Sequence, residues 1–296
     1  MKTAPCERKE FFRMAKKIKI ISDSTSDIPR ELLEQHQIEF VPLIISLGDE
    51  SFQDGITVFP DDLYHYYQNT HRLPKTSAPS PAAFADRFRY WTDWGYAVIC
   101  FTISSEFSAS YPNARLAAQD YPDVFVIDSR NLTTGIGLLV LQAAELAEKG
   151  IAAADIFDEI QAMREKIRAS FIIDTLQYLW KGGRCSGVAA LGANLLHLRP
   201  CIEVENGKMI VTKKYRGTLP VCVEHYLDDK LAGRTDIDLH RAFLTHSGMT
   251  DESMIKMARK HILKLQKFDE LLIARAGSTI STHCGPNTMS VVFSVR

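Results

Sequence analysis

The chain has 296 residues, 46% of them apolar and 24% charged, which is the make-up of an ordinary folded protein long enough for two domains or one large α/β domain. With 35 Lys and Arg against 36 Asp and Glu, its formal net charge of -1 gives no long-range field favouring nucleic acid or an anionic membrane surface. The six cysteines are scattered with no Cys-x-x-Cys pair, which argues for a reducing, cytoplasmic setting, and no run approaches the roughly 18 apolar residues of a membrane span.

Residues 1–16 mix acidic and basic side chains around Phe11-Phe12, without an apolar core of signal-peptide length. They are expected to be a disordered or loosely docked extension, with Met14 as an alternative start. Residues 17–21 form a β-branched run that ends in Ser22-Asp23-Ser24-Thr25-Ser26-Asp27, and Pro29 then opens an amphipathic helix over 30–36. A buried strand running into small polar residues and a helix is how a parallel α/β unit begins. Such a turn places Ser24 where open α/β sheets bind ligands, although Asp27 or Ser26 can equally serve as a helix cap.

A second strand is expected over 39–47, with Pro42 marking an edge or a bulge. Residues 48–60 are polar and turn-rich without a clear period, and 61–68 reads as helix. Between Pro74 and Pro81, both included, three prolines alternate with the hydroxyls of Thr76, Ser77 and Ser80. Proline fixes φ and pushes the preceding residue toward extended conformations, so this stretch is expected to be a stiff loop whose hydroxyls can bind an anion at little ordering cost.

A helix from Pro81 to about Trp94 leads to a third buried strand, 97–101, and a second hydroxyl cluster containing Ser104, Ser105 and Ser108. A fourth strand, 124–127, ends in Asp128-Ser129, and helices are expected over 134–149 and 153–168. This alternation predicts a doubly wound, mostly parallel sheet over residues 17–167.

The rhythm changes after Arg168, and residues 168–296 are expected to form a second, mixed α/β unit. Its signs are a strand at 170–173, a helical turn at 176–180, the tight basic loop Lys181-Gly182-Gly183-Arg184 and a small-residue helix over 186–195. A hairpin follows around Asn206-Gly207, then strands at 241–246, 270–275 and 288–295 and a helix over 251–265. The glycine pair permits close backbone approach and Arg184 offers a bidentate fork for carboxylate or phosphate; a helix C-cap with a solvated arginine is the plainer alternative. His283 lies in a glycine/proline-rich loop. There is no G-x-S-x-G elbow, Walker A loop or H-E-x-x-H, and the histidine pairs His65/His71 and His240/His246 lack metal-ligand spacing, so no catalytic or metal site is assigned.

Taken together, Ser22-Asp23-Ser24-Thr25-Ser26-Asp27, Thr76-Ser77-Ala78-Pro79, Ser104-Ser105 with Ser108, Ile127-Asp128-Ser129, Lys181-Gly182-Gly183-Arg184, Arg199-Pro200 and His283-Cys284-Gly285-Pro286 resemble the DegV family, in the family's order and over nearly the whole chain from Lys17. The resemblance implies a bacterial protein that holds one long-chain fatty acid, such as palmitate, stearate or oleate, between two α/β domains. Some members present it to a separate ATP-dependent fatty-acid kinase, which phosphorylates the carboxylate for phospholipid synthesis. It also implies no other cofactor, transient membrane contact for ligand exchange, and a monomer or weak dimer. Carried over by position, Thr76 and Ser108 would bind the carboxylate with Ser77 beside them, and Arg184 and His283 would stand at the head-group end.

Two positions depart from the family pattern. Glu106 and Ala109 replace glycines in the second hydroxyl cluster, and Asn287 replaces the glycine after Gly285-Pro286. Glu106 pointing inward would repel a carboxylate, and it is expected to face solvent. Two other readings stay open: a serine hydrolase using His283 with Asp23 or Asp128, and a carrier of another amphiphile such as a retinoid or sterol-like molecule.

Overall fold

The computed structural model describes residues 16–185, 198–249 and 251–296. The helix expected over 186–195, and the N-terminal extension apart from Lys16, lie outside the described residues.

The run after Lys17 becomes β1 (Ile18–Asp23), which pairs in parallel with β2 (Glu39–Val41) on one side and β6 (Ala97–Thr102) on the other. With β7 (Val124–Asp128) beyond β6, the order β2-β1-β6-β7 is that of a parallel sheet. Every residue of β6 is buried because both faces are covered. Val98 and Cys100 share an apolar cluster with Phe84 and Phe88 of α3 (Pro81–Asp93), whereas Ile99 and Phe101 belong with Ile136 and Leu139 of α5 (Thr134–Glu148). That two-sided burial is why the strand reads as a continuous apolar run.

The second sheet is mixed and has six strands in the order β10-β9-β8-β13-β11-β12. They are β8 (Ile167–Ile172), β9 (Leu198–Glu205), β10 (Lys208–Arg216), β11 (Ile237–Ser247), β12 (Glu270–Arg275) and β13 (Thr288–Val295). Only β11 and β12 run parallel; the other pairs are antiparallel. Helix α5 packs against strands of both sheets, and Phe171, Ile202, Phe243 and Val292 join the same core as Ile99 and Ile136. A helix between two sheets has no solvent face, which explains its almost unbroken apolar sequence.

The outer face of the mixed sheet is covered by α8 (Leu219–Leu231) and α9 (Glu252–Leu265), whose Tyr226, Leu227, Ala258 and Ile262 pack with Leu244 and Val291. The buried Tyr226 hydroxyl donates to the Ser170 carbonyl (2.7 Å) and accepts the Val291 N–H (2.9 Å), so its polar end is satisfied.

Two expectations are corrected. The helix expected over 153–168 ends earlier: α6 (Ala153–Met163) gives way to a 3-10 turn, and β8 begins at Ile167 because residues 167–172 pair with β13. The single strand expected over 39–47 is two strands in two sheets. Pro42, which cannot donate to a ladder, separates β2 from β3 (Ile44–Leu47). Strand β3 then organises a small antiparallel sheet, β4-β3-β5, with β4 (Glu50–Gln53) and β5 (Lys75–Ser77).

The hairpin signal at Asn206-Gly207 is realised between β9 and β10, with φ of 50° and 79° at the two residues, as a primed turn requires. Its tip docks on the loop after β6, where the Gly207 carbonyl accepts the Ser104 hydroxyl (2.8 Å). Among the described residues no helix is long and apolar enough to cross a membrane, and no cluster of His, Cys, Asp and Glu is placed to hold a metal ion.

Candidate functional site

Strands β1 and β6 are paired neighbours whose following connections leave in opposite directions, to β2 on one side and β7 on the other, which opens a crevice at their carboxyl ends. Acidic residues organise this crevice. The buried Asp23 carboxylate accepts the N–H of Ile103 (2.9 Å) and of Thr25 (3.2 Å), and burial raises its pKa above the usual carboxylate value. Asp128, ending β7, takes the hydroxyl of Ser105 (2.6 Å) and its N–H (3.2 Å). Both acids are therefore committed to shaping the 103–108 loop.

That loop walls a cavity of about 200 Å³. Ile103, Phe107, Leu132, Leu179, Met209 and Ile280 give it an apolar lining; Thr76, Ser108, Arg184 and His283 supply polar atoms, as does Thr279, whose hydroxyl is taken by Asp54. These residues come from both sheets' connections and from the small sheet. Thr76 is the middle residue of β5, so strand alternation exposes Lys75 and Ser77 and turns Thr76 inward. Ser108 Oγ accepts the Ser110 N–H at the start of α4 (Ser110–Ala117; 3.1 Å), which leaves its own proton to donate. Arg184 follows α7 (Gln177–Gly182) and is exposed, with Nη1 donating to the Gly182 carbonyl (2.6 Å). Gly183, at φ 68°, is the left-handed cap of α7, so the plainer reading of this glycine pair holds together with a place for Arg184 on the cavity wall.

His283 is on the last turn of α10 (Ser278–Cys284) rather than in a loop. Its Nε2 is 2.9 Å from Thr76 Oγ1, and its Nδ1 is buried without a hydrogen-bond partner. Burial, and then the positive charge of Arg184, lower its pKa to about 4, so the imidazole is neutral near pH 7. With the proton on Nδ1, a buried N–H would be orphaned. With the proton on Nε2, His283 donates to Thr76 and the unmet atom is only an acceptor, the cheaper of the two arrangements. In that tautomer the Thr76 O–H is free to donate to a ligand. Among the described residues no carboxylate meets His283 Nδ1; Asp23 and Asp128 are instead bonded to the 103–108 loop, so neither orients this ring as a hydrolase relay would require.

The ring also rests on Gly182, where an added Cβ would be 2.4 Å from His283 Nδ1. The opening of α10 is held by acids of the preceding half. Asp54 accepts the N–H of Ser278 (2.9 Å) and Thr279 (3.2 Å) together with the Thr279 hydroxyl (2.7 Å), and Asp27 accepts the Gly277 N–H (2.9 Å). Asp27 therefore caps α10's approach rather than the helix that follows it, α1 (Arg30–Gln35), whose N-cap Pro29 makes no side-chain cap. No sequence expectation singled out Asp54, because 48–60 lacks a period. The only available signal was the complementary Gly277-Ser278-Thr279, whose amides open a helix and attract an anion.

Of the other sequence candidates, Ser77 is exposed on the opposite side of β5 from Thr76, and Ser105 is held by Asp128. Ser24 donates to Asp54 (2.9 Å) and accepts the Leu43 N–H (3.1 Å), bordering a different and wider cleft. The structure thus brings together Thr76, Ser108, Arg184 and His283, and places Ser24, Ser77 and Ser105 apart from them. Glu106 faces solvent, as expected, with Lys208 Nζ 3.5 Å away. Asn287 adopts φ 57°, a left-handed conformation that asparagine tolerates better than most residues, so the turn forms without the glycine that the resemblance implies there.

Residues 17–296 match the model of a family described as "Uncharacterised protein, DegV family". A DegV domain-containing protein of Clostridium acetobutylicum is 31% identical over 293 residues, covering 94% of this chain and 98% of its own length. Among solved structures, a DegV family protein from Thermus thermophilus described for its fatty-acid binding superposes with a TM-score of 0.86 at 30% identity, covering 94% of this chain and all of its own. A stearic-acid-binding protein from Eubacterium ventriosum gives 0.78 at 29% identity, covering 94% of this chain and 98% of that one. A family match over residues 17–296, with relatives about 30% identical along almost their whole length and the same parallel and mixed sheets, places this chain by descent: it belongs to the DegV family.

Proposed function

We propose that this protein binds one long-chain fatty acid, with its carboxylate held by Thr76 and Ser108, His283 orienting the Thr76 hydroxyl, and its alkyl chain along the apolar wall. The observation that carries this reading is the Thr76–His283 pair on an otherwise apolar cavity, with Thr76 and Ser108 each able to donate a proton. Burying a methylene is worth about 0.8 kcal/mol, so a long acyl tail supplies on the order of 10 kcal/mol before the costs of association. Each hydrogen bond to the carboxylate adds about 1.5–3 kcal/mol. The tail thus sets affinity and the hydroxyls set which end faces out. The ligand lies between an N-terminal domain ending close to Arg168 and a C-terminal domain, and the exposed Arg184 marks the end from which the carboxylate is presented to a fatty-acid kinase.

Native mass spectrometry of the purified protein, followed by organic extraction, should find a one-to-one adduct of a long-chain fatty acid. The variant Thr76→Ala/Ser108→Ala should lose most of it. Full retention in that variant would remove the head-group assignment, and extraction of a sterol or retinoid instead would replace the ligand class.

A further inference from the structure

A second cleft, of about 500 Å³, is lined in part by the Asn206-Gly207 hairpin tip and shares no lining residue with the apolar cavity. Five cationic side chains converge on it: Arg130, Arg164, Arg168, Lys230 and Arg234. The carboxylates facing it are Glu165, Glu203 and Glu205, so the cleft is locally cationic in a chain whose formal net charge is -1.

The hydrogen bonds within the cleft leave much of that charge in place. Arg168 donates only to main-chain carbonyls, those of Glu165 (2.8 Å) and Ile167 (3.1 Å). Arg130 donates to the carbonyl of Asn206, and Arg164 donates to that of Asp128 (3.1 Å). A carbonyl orients a guanidinium without neutralising it. The one acid beside Arg164, Glu165 at 3.2 Å, has a side chain 61% exposed and is screened by water. Lys230 and Arg234 are each paired, with Glu203 and Asp236, but their stems are largely buried and Arg234 lies over the Phe293 ring. Arg168 is exposed while Arg130 and Arg164 are partly buried, so the three guanidiniums are open to an anion, and low-dielectric walls focus their field toward it.

We propose that this cleft is a binding site for a small phosphorylated anion. Several planar guanidinium forks arriving from different elements suit the tetrahedral, multiply charged phosphate better than a single planar carboxylate. The short extent of the cleft and the nearly balanced charge of the chain as a whole fit a compact ligand rather than a nucleic-acid strand, which needs an extended basic track. The phosphate belongs either to a soluble metabolite or to a lipid head group.

The test is calorimetric titration of the full-length protein with inorganic pyrophosphate at fixed ionic strength, with chloride and acetate as controls. In parallel, co-sedimentation is measured with vesicles of phosphatidylcholine alone and with about 30% phosphatidic acid. Saturable one-to-one binding of pyrophosphate identifies the soluble source, and binding only to phosphatidic-acid vesicles identifies the head group. Either should weaken by about tenfold or more in Arg164→Gln/Arg168→Gln, the scale of a lost charge-assisted pair. Arg168→Glu, which leaves the Arg164–Asp128 contact intact, should show the same loss if the double variant folds poorly. Absence of both kinds of binding, or binding unchanged in both variants, overturns the proposal. Fatty-acid content measured on the same samples is expected to stay at the wild-type level, so failure here is distinguishable from failure of the lipid assignment.

Discussion

Gly182→Ala should behave oppositely in two backgrounds, and the sign change is a strict test of the site geometry. Gly182 has a helical backbone, so alanine there gains roughly 0.8–1.0 kcal/mol of helix propensity if nothing obstructs it. The structure does obstruct it: the new Cβ would be 2.4 Å from His283 Nδ1 and 3.4 Å from Cε1. The ring must retreat by about 1 Å to restore van der Waals contact, and overpacking of this kind costs about 1–3 kcal/mol. The 2.9 Å contact with Thr76 is lost in that retreat, at about 0.5–1.5 kcal/mol. The net expectation is a destabilisation of about 1–3 kcal/mol in the wild type, with weakened fatty-acid retention. In a His283→Ala background the obstruction is gone, and the same substitution should be neutral or stabilising by up to about 1 kcal/mol. Urea unfolding of the four proteins of this cycle gives the coupling directly. Equal effects of Gly182→Ala in both backgrounds would refute the packing of His283 on Gly182.

Two further outcomes follow from the same residues. The ligand-free protein should lose stability as pH falls from about 6.5 toward 4, because folding lowers the His283 pKa to about 4 and the unfolded chain takes up the proton first; the total is on the order of 3 kcal/mol. Urea midpoints at about pH 7.5 and 4.5 should therefore differ less in His283→Asn, and the raised pKa of buried Asp27, which acts with opposite sign, is common to both proteins. Parallel profiles would remove the neutral histidine. Asp54→Ala should cost about 2–5 kcal/mol by orphaning the Ser278 and Thr279 amides at the opening of α10, read as a fall in melting temperature accompanied by loss of bound lipid. A melting loss without lipid loss would show that α10 does not depend on this carboxylate to place His283.

The parallel sheet was legible because its strands are buried on both faces, and runs such as Ala97–Thr102 then carry no polar interruption. Asn206-Gly207 gave away the hairpin for a local reason, since two consecutive left-handed residues need those side chains. The small sheet was not legible. Its strands have three or four residues each, too few for a period, and Lys75–Ser77 reads as loop because only pairing with β3 makes it a strand. Helix α8 was legible in principle, with Pro220 near its start and Cys222, Val223, Tyr226, Leu227 and Leu231 on one face, yet no expectation covered it. At the site, Thr76, Ser108, Arg184 and His283 were reached through motif order rather than geometry. Ser77 and Ser105 show why: adjacency in sequence brings hydroxyls close along the chain, but strand alternation and a neighbouring aspartate decide which of them meets the cavity.

The hold of Asp54 and Asp27 on the first turn of α10 makes occupancy and assembly one equilibrium. His283 stands in place only while two acids of the N-terminal half grip a helix of the C-terminal half. If the ligand's head group sits where proposed, molecules with this grip released lack the complete site, and the measured dissociation constant would be the intrinsic one divided by the gripped fraction. The linkage runs in reverse as well: a ligand at a hundred times its dissociation constant adds about 2.7 kcal/mol to the closed arrangement. On the proposed assignment, release of the Asp54 and Asp27 contacts with α10 and loss of the ligand favour one another, so residence of the ligand would be set in part by carboxylates that never touch it.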